Sequence, residues 1–191
     1  MNDTVRMTKN QDDIAKIRDL DDLLRSGDGG PFDQRAMVGD DRMSYAGWYS
    51  HLLSSLAVVS AEESLIFGQA EVLDGGVARI FVVTTSLVLT ADVDTAADSV
   101  ENPFVTVVSR ASLESFETRV GQGVHVQGSR GVAWPETIAI GVKNRGIDEP
   151  LELRGDAYVM HDSKRPAPIW TLLNEFRFAL ARAAASPAAT V

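Results

Sequence analysis

Residues that could bind a metal ion are few and scattered in this sequence of 191 residues. The three histidines are His51, His125 and His161, and no two of them have the spacing that presents a pair of imidazoles on one helix face. The absence of cysteine excludes thiolate metal sites, disulfides and cysteine nucleophiles. The sequence therefore predicts neither a metal site nor a cofactor.

An acidic stretch in the middle of the chain begins in the way that a calcium-binding loop begins. Its carboxylates are Asp92, Asp94, Asp98 and Glu101. A calcium loop also needs glycine at its sixth position and glutamate at its twelfth, where this chain has Ala97 and Pro103. We therefore interpret Ala91 to Asn102 as a solvated loop.

Two glycine-containing segments are candidates for a nucleophile or a phosphate-binding loop. The segment from Gly128 to Gly131 contains Ser129, but it lacks the G-x-S-x-G spacing and the strand-to-helix turn that expose a catalytic serine. Gly121 and Gly123 precede a strand pattern, so they cannot place a helix N-terminus against a phosphate. Because no catalytic residue is recognisable, a non-enzymatic function is the simpler interpretation.

Residues with the chemistry of a contact surface occur in the second half of the chain. Trp134 precedes Pro135 in a turn-rich segment, where an aromatic side chain is a candidate contact residue. We assign it to a candidate interaction surface with the basic residues Arg130, Lys143, Arg145, Lys164 and Arg165. The alternative is scattered solubilising charge, which the net acidity of the chain favours.

The overall charge limits the kinds of partner. A formal net charge of -9 makes the average surface repel phosphate backbones and anionic lipid headgroups. No stretch approaches the roughly 20 apolar residues that a membrane-spanning helix needs, and the polar first residues contain no secretory signal. We therefore expect a cytoplasmic protein that does not bind nucleic acid, and the net charge disfavours a membrane as its partner.

Helical periodicity occurs at both ends of the chain. Apolar residues at helical spacing predict a helix from about Gln11 to Ser26, whose narrow apolar stripe is typical of a docking or dimer helix. A second helix follows a glycine-rich linker and has Ser44 as its predicted N-cap. The C-terminal helix is amphipathic, with an apolar stripe at Ile169, Leu172, Leu173, Phe176 and Leu180.

Between these helices the periodicity is that of strands. A turn at Asp74-Gly-Gly76 joins two β-rich runs, which predicts an antiparallel hairpin. Both Ile80/Val82 and Phe81/Val83 are apolar, so the second run should be covered on both faces. Ile138, Ile140 and Val142 alternate with smaller or polar residues, which is typical of a strand with one covered face.

The order of these elements resembles that of bacterial PH-like or GRAM-like domains over roughly residues 62–185. The similar segments are Ala78–Leu89, followed by Val107–Leu113 and Phe116. The resemblance implies an α+β fold, with a strongly curved antiparallel sheet or PH-like barrel closed by the C-terminal helix, and a scaffold without catalytic residues. The hairpin Leu73–Val77 lacks the clustered lysine and arginine of lipid-binding members, which favours protein binding.

These interpretations combine into a prediction of three segments. Residues 1–43 form an N-terminal helix and loop extension, residues 44–185 the PH-like α+β domain with its leading helix, and residues 186–191 a tail. The predicted function is a non-enzymatic module for protein interaction or assembly, with another protein or a second copy as partner. Two alternatives are a small-molecule-binding or enzymatic domain with a pocket between sheet and C-terminal helix, and a peripheral membrane-binding module.

Overall fold

The structure is a computed structural model that describes residues 3–25, 32, 36, 45–95, 103–121, 137–147, 150–156, 158–159 and 162–185. The chain divides into two compact units, Met1–Val107 and Val108–Val191. The predicted α+β class with antiparallel sheets is confirmed. The two sheets of the described ranges are open and form no closed barrel. The predicted division into 1–43, 44–185 and 186–191 stays a prediction.

The first unit contains two helices and a four-stranded antiparallel sheet. The helices are α1 (Asp3–Arg25) and α2 (Gly47–Val59). The strands are β1 (Leu65–Val72), β2 (Val77–Thr84), β3 (Leu87–Asp94) and β4 (Thr106–Ser109), in that order across the sheet, and the boundary between the units falls within β4. The predicted hairpin between β1 and β2 is confirmed, and Gly75 and Gly76 adopt the positive φ angles of 86° and 85° that its turn requires.

The strand β2 is buried on both faces, as its sequence predicts. Ile80 and Val82 lie on the face that joins the core of α1 and α2, and they are 1% and 0% exposed. Phe81 and Val83 on the opposite face are also buried. A strand without a polar face has no stable position at a surface, which places β2 inside its unit.

Three predicted boundaries in this unit are wrong in detail. α1 begins at Asp3 and not near Gln11, because no glycine or proline interrupts the intervening residues. The N-cap of α2 is Ala46, which makes no side-chain capping hydrogen bond, whereas the predicted cap Ser44 lies outside the described residues. The predicted acidic loop is a strand as far as Asp94, because Asp92 pairs with Arg79 across β2 and β3.

A close approach of α1 to β1 depends on Gly68. A methyl group at Gly68 would lie 2.6 Å from Cγ of Leu23, well inside van der Waals contact. We expect Gly68→Ala to lower the free energy of unfolding by about 1 to 3 kcal/mol, as overpacking typically does. Chemical denaturation of the purified protein measures this change. Gly47→Ala is the matched control, since no atom lies within 4 Å of that position, and an equal loss in both variants would contradict the explanation.

The second unit contains a three-stranded antiparallel sheet, a hairpin and the C-terminal helix. The sheet has the order β5 (Leu113–Val120), β6 (Thr137–Asn144) and β7 (Leu151–Asp156), and the hairpin joins β8 (Tyr158–Val159) to β9 (Asp162–Pro166). A short 3-10 turn, η1 (Arg110–Ser112), precedes β5. The predicted C-terminal helix is confirmed as α3 (Pro168–Ala185).

One face of this sheet packs against α3. Ile138, Ile140 and Leu153 on the sheet are at most 1% exposed, and so are their counterparts on the helix, Ile169, Leu172 and Phe176. The helix lies so close to β7 that a methyl group at Gly155 would be 3.2 Å from Cβ of Ile169. Because side chains alternate along a strand, the other face of the same sheet carries the residues between these apolar ones.

Candidate interaction surface

The face of the β5-β6-β7 sheet opposite α3, called the outer face here, carries a dense set of charged side chains. Its residues are Ser115, Glu117 and Arg119 on β5, Thr137, Ala139, Gly141 and Lys143 on β6, and Glu152, Arg154 and Asp156 on β7. All are exposed except Ala139 and Gly141, which are half-buried between longer neighbours. The outer face is therefore accessible in a single copy of the chain.

The register of the three strands sorts these residues into rows that cross the sheet. Arg119 and Arg154 flank Ala139 in one row. Glu117 and Glu152 flank Gly141 in the next. Two shorter rows lie outside them: Ser115 with Lys143 beside the glutamates, and Thr137 with Asp156 beside the arginines. Along the strands the charge of successive rows thus runs positive, negative, positive, negative.

The middle of the outer face is lower than its two sides. Ala139 and Gly141 are the smallest residues on the face, and both belong to the central strand. A methyl group at Gly141 would meet only Cβ of Glu117 within 4 Å, at 3.9 Å, so space above this position is open. The two central rows therefore border a shallow furrow in which another backbone could approach closely.

Ion pairs hold two carboxylates of this sheet, Glu152 and Glu114, in the charged form. Nε of Arg154 lies 3.0 Å from Oε1 of Glu152, and this hydrogen bond lowers the pKa of that carboxyl below its ordinary value, with a smaller contribution from Arg119. On the adjoining edge, Lys143 at 3.2 Å and Arg145 at 3.5 Å lower the pKa of Glu114. These carboxylates are therefore ionised at neutral pH.

Some of the residues that the sequence predicts for an interaction surface lie outside the described part of the chain. Lys143 belongs to the outer face, and Arg145 lies beside it, paired with Glu114. Trp134 and Arg130 lie outside the described residues. Lys164 and Arg165 belong to β9, and the structure describes only their backbone.

The sequence interpretation missed the residues that give the outer face its pattern, chiefly Arg119, Glu117 and Glu152. A signal for them exists, because Glu117/Arg119 and Glu152/Arg154 are two copies of the same spacing on two strands. Only the register shows that the two copies lie side by side.

A second concave feature lies in the first unit, between α1 and the start of β1. This groove of about 620 Å³ is lined by Lys16, Asp19, Asp22, Leu23, Glu63, Ser64 and Leu65. Nζ of Lys16 donates a hydrogen bond to the backbone oxygen of Glu63, which ties the helix to the chain before β1. Partial burial lowers the pKa of Lys16, although Asp19 and Glu63 oppose that effect. The groove is an open, mainly polar cleft.

The carboxylate of Glu63 fixes the turn between β2 and β3. It accepts hydrogen bonds from the hydroxyls of Thr84 at 3.1 Å and Ser86 at 2.6 Å, from the backbone N–H of Ser86 at 3.0 Å, and from the hydroxyl of Thr85. These bonds, led by the one from the Ser86 hydroxyl, lower the pKa of Glu63 to about 2.

This depressed pKa predicts a dependence of stability on pH. Because the pKa in the folded state is below the ordinary 4.5, Glu63 stabilises the fold above that pH and loses the contribution as the pH falls towards 2. We expect the difference in unfolding free energy between wild type and Glu63→Gln to shrink from pH 7 to pH 3, measured by urea titration. Glu62→Gln is the matched control, since it removes the same charge from an exposed neighbour outside the turn. A difference that is constant with pH would contradict the prediction.

The buried polar groups of both units act as anchors between elements. Asp21 on α1, which is 7% exposed, accepts hydrogen bonds from the hydroxyls of Tyr49 at 2.9 Å and Tyr45 at 3.0 Å. In the second unit, Arg110 bridges η1 to α3 through Glu175 at 3.1 Å. A charge that is buried and paired in this way holds its element in place, and its removal is costly.

The described residues contain no group of three His, Asp or Glu side chains arranged to hold a metal ion. His51 lies half-buried on α2, while His125 and His161 are outside the described residues. None of the helices in the described part of the chain is both long and apolar enough to cross a membrane.

The chain matches no protein-family model, no curated protein and no solved structure. The resemblance to PH-like domains therefore stays a prediction.

Proposed function

We propose that this chain is a non-enzymatic module for protein interaction or assembly, and that its outer face is the contact surface. The observation that carries this proposal is the alternation of charged rows around a furrow of small residues. A solubilising surface needs charge but no order of rows, whereas an ordered pattern with a low centre can select a partner of matching pattern.

We also propose that the fold is PH-like. Seven antiparallel strands in two sheets, followed after a short hairpin by an amphipathic helix, are compatible with the element order of PH-like domains. A scaffold of that kind, acting in the cytoplasm, needs only a shaped and charged surface.

The two alternatives have less support from the residues described. A pocket between the sheet and α3 would need space where Ile140, Leu172 and Phe176 are fully buried and Gly155 lies against Ile169. Binding to an anionic membrane would need a positive surface, but the outer face has three basic and three acidic side chains. Both observations favour a protein partner over a small molecule or a lipid headgroup.

Site-specific photo-crosslinking in living cells tests the proposal. A benzophenone amino acid replaces Ser115, which is exposed at the margin of the outer face, and in a control chain it replaces Phe178, which is 61% exposed on α3. We expect a discrete crosslinked product from position 115 that is absent from position 178. The product is then identified by mass spectrometry, and its formation should be lost when Glu117 and Glu152 are both changed to arginine. The absence of any product specific to position 115 would overturn the proposal.

A further inference from the structure

We infer that the partner of the outer face is a second copy of this chain, bound face to face about a two-fold axis. The inference rests on the proposed function and names the partner of the same surface. The axis lies in the interface and runs across the strands, between the row of Ala139 and the row of Gly141. Such an interface is isologous, which means that the same residues contribute from both copies.

Rotation about this axis exchanges the two central rows. Each arginine of one copy then lies opposite a glutamate of the other: Arg119 faces Glu117 of the second copy, and Arg154 faces its Glu152. The exchange occurs twice by symmetry, so the four central charged residues of each copy all meet an opposite charge. A surface with positive residues on one side of the axis and negative residues on the other is complementary to itself in this way. A patch with charges of only one sign is not.

The two outer rows are exchanged in the same way. Lys143 at one end of β6 comes to lie opposite Thr137 of the second copy, in the row that also contains Asp156. The direct charge matching is therefore confined to the two central rows, and Asp156 is the opposite charge in the row that Lys143 meets.

The centre of the face fits this arrangement sterically. Ala139 of one copy faces Gly141 of the other on either side of the axis, so neither central strand places a long side chain between the flanking ion pairs. Long side chains at these positions would hold the sheets apart and lengthen every ion pair.

The charge balance distinguishes a second copy from an unrelated partner. Three basic and three acidic side chains give the face no net charge, so a uniformly basic or acidic partner gains little from it. An unrelated protein would have to carry the same four-row pattern in reverse, and another copy of this chain carries it automatically.

The area of the outer face limits the expected affinity of the dimer. Strands of eight residues are about 27 Å long, and three strands side by side are about 15 Å wide. The face is thus on the order of 400 Å² per copy, at the low end of protein interfaces, where binding is weak and transient. Because the contacts are solvent-accessible ion pairs, added salt should weaken them.

Sedimentation equilibrium of three full-length proteins tests the inference: wild type, the double variant Glu117→Arg/Glu152→Arg and the double variant Arg119→Glu/Arg154→Glu. The wild type is expected to dimerise with a dissociation constant on the order of 100 µM at low salt, and about tenfold more weakly at roughly 0.5 M salt. Each double variant places like charges opposite each other and should remain monomeric. An equimolar mixture of the two should form a one-to-one complex, because both central rows of one variant then meet opposite charges on the other.

A fifth substitution separates this geometry from general attraction between oppositely charged proteins. Ala139→Trp, added to both double variants, leaves their charges unchanged but fills the furrow. We expect it to abolish the mixed complex, and circular dichroism checks that all variants remain folded.

A wild type that is monomeric at about 1 mM, or a mixed complex that survives Ala139→Trp, would overturn the inference. In either case a crosslinked foreign protein at position 115 would leave the proposed function standing. If that crosslink is absent as well, the proposed function fails too.

Discussion

Replacement of Leu20 by alanine is expected to lower the free energy of unfolding of the first unit by about 2 to 5 kcal/mol. Leu20 on α1 is 0% exposed. It belongs to the apolar core that α1 and α2 form with strands β1, β2 and β3. Its loss removes buried apolar surface and leaves a cavity between elements that are far apart in sequence. Urea denaturation followed by tryptophan fluorescence, to which Trp48 in the same core contributes, measures the change.

Ile14→Ala provides the matched control on the same helix, because Ile14 is 46% exposed and removes little buried surface when shortened. We expect the control to lose less than about 1 kcal/mol. If Leu20→Ala and Ile14→Ala lower the free energy of unfolding by the same amount, α1 is not part of this core. Removal of residues 1–43 is a stronger change. The chain that starts at Ser44 should expose the apolar surface that Leu20 and Leu24 cover, and this exposed surface should favour aggregation.

Replacement of Phe176 by alanine is expected to lower the free energy of unfolding of the second unit by about 3 to 5 kcal/mol. Phe176 is 1% exposed and packs its ring against Phe116, with the ring centroids 6.1 Å apart. It is the largest fully buried side chain among the described residues of α3. Hydrogen exchange of the β6 amides, compared between variant and wild type, reports the loss within this unit.

Phe178→Ala is the control for this substitution, since Phe178 is the same residue type two positions further along the helix and is 61% exposed. We expect it to leave exchange in β6 nearly unchanged. Equal acceleration by both variants would mean that α3 is held by something other than its apolar stripe.

The sequence predicts those elements whose apolar residues have a single clear period. The stripe of Ile169, Leu172 and Phe176 fits only a helix, and the alternation of Ile138, Ile140 and Val142 fits only a strand. Their burial follows from the same pattern, because the apolar face is the one that leaves water. The core of the second unit could be anticipated from these periods.

The parts that the sequence did not predict depend on pairing between distant residues. Asp92 has the composition of a loop, but its ion pair with Arg79 on the neighbouring strand offsets the low strand propensity of aspartate. Likewise, Glu117, Arg119, Glu152 and Arg154 are unremarkable charges until the register aligns them. Register depends on the whole sheet, so a local pattern cannot reveal it.

The two-sided burial of β2 has a consequence for how the protein is made. An unfolded chain would expose Ala78, Ile80, Phe81, Val82 and Val83 together, and such a run of β-formers is prone to intermolecular pairing. During synthesis, however, α1 and α2 leave the ribosome before this strand does, since both precede it in the chain. The helices that cover one side of β2 and one of its two partner strands, β1, are therefore available when it emerges. The order of elements along the chain thus shortens the time for which this aggregation-prone strand is unprotected.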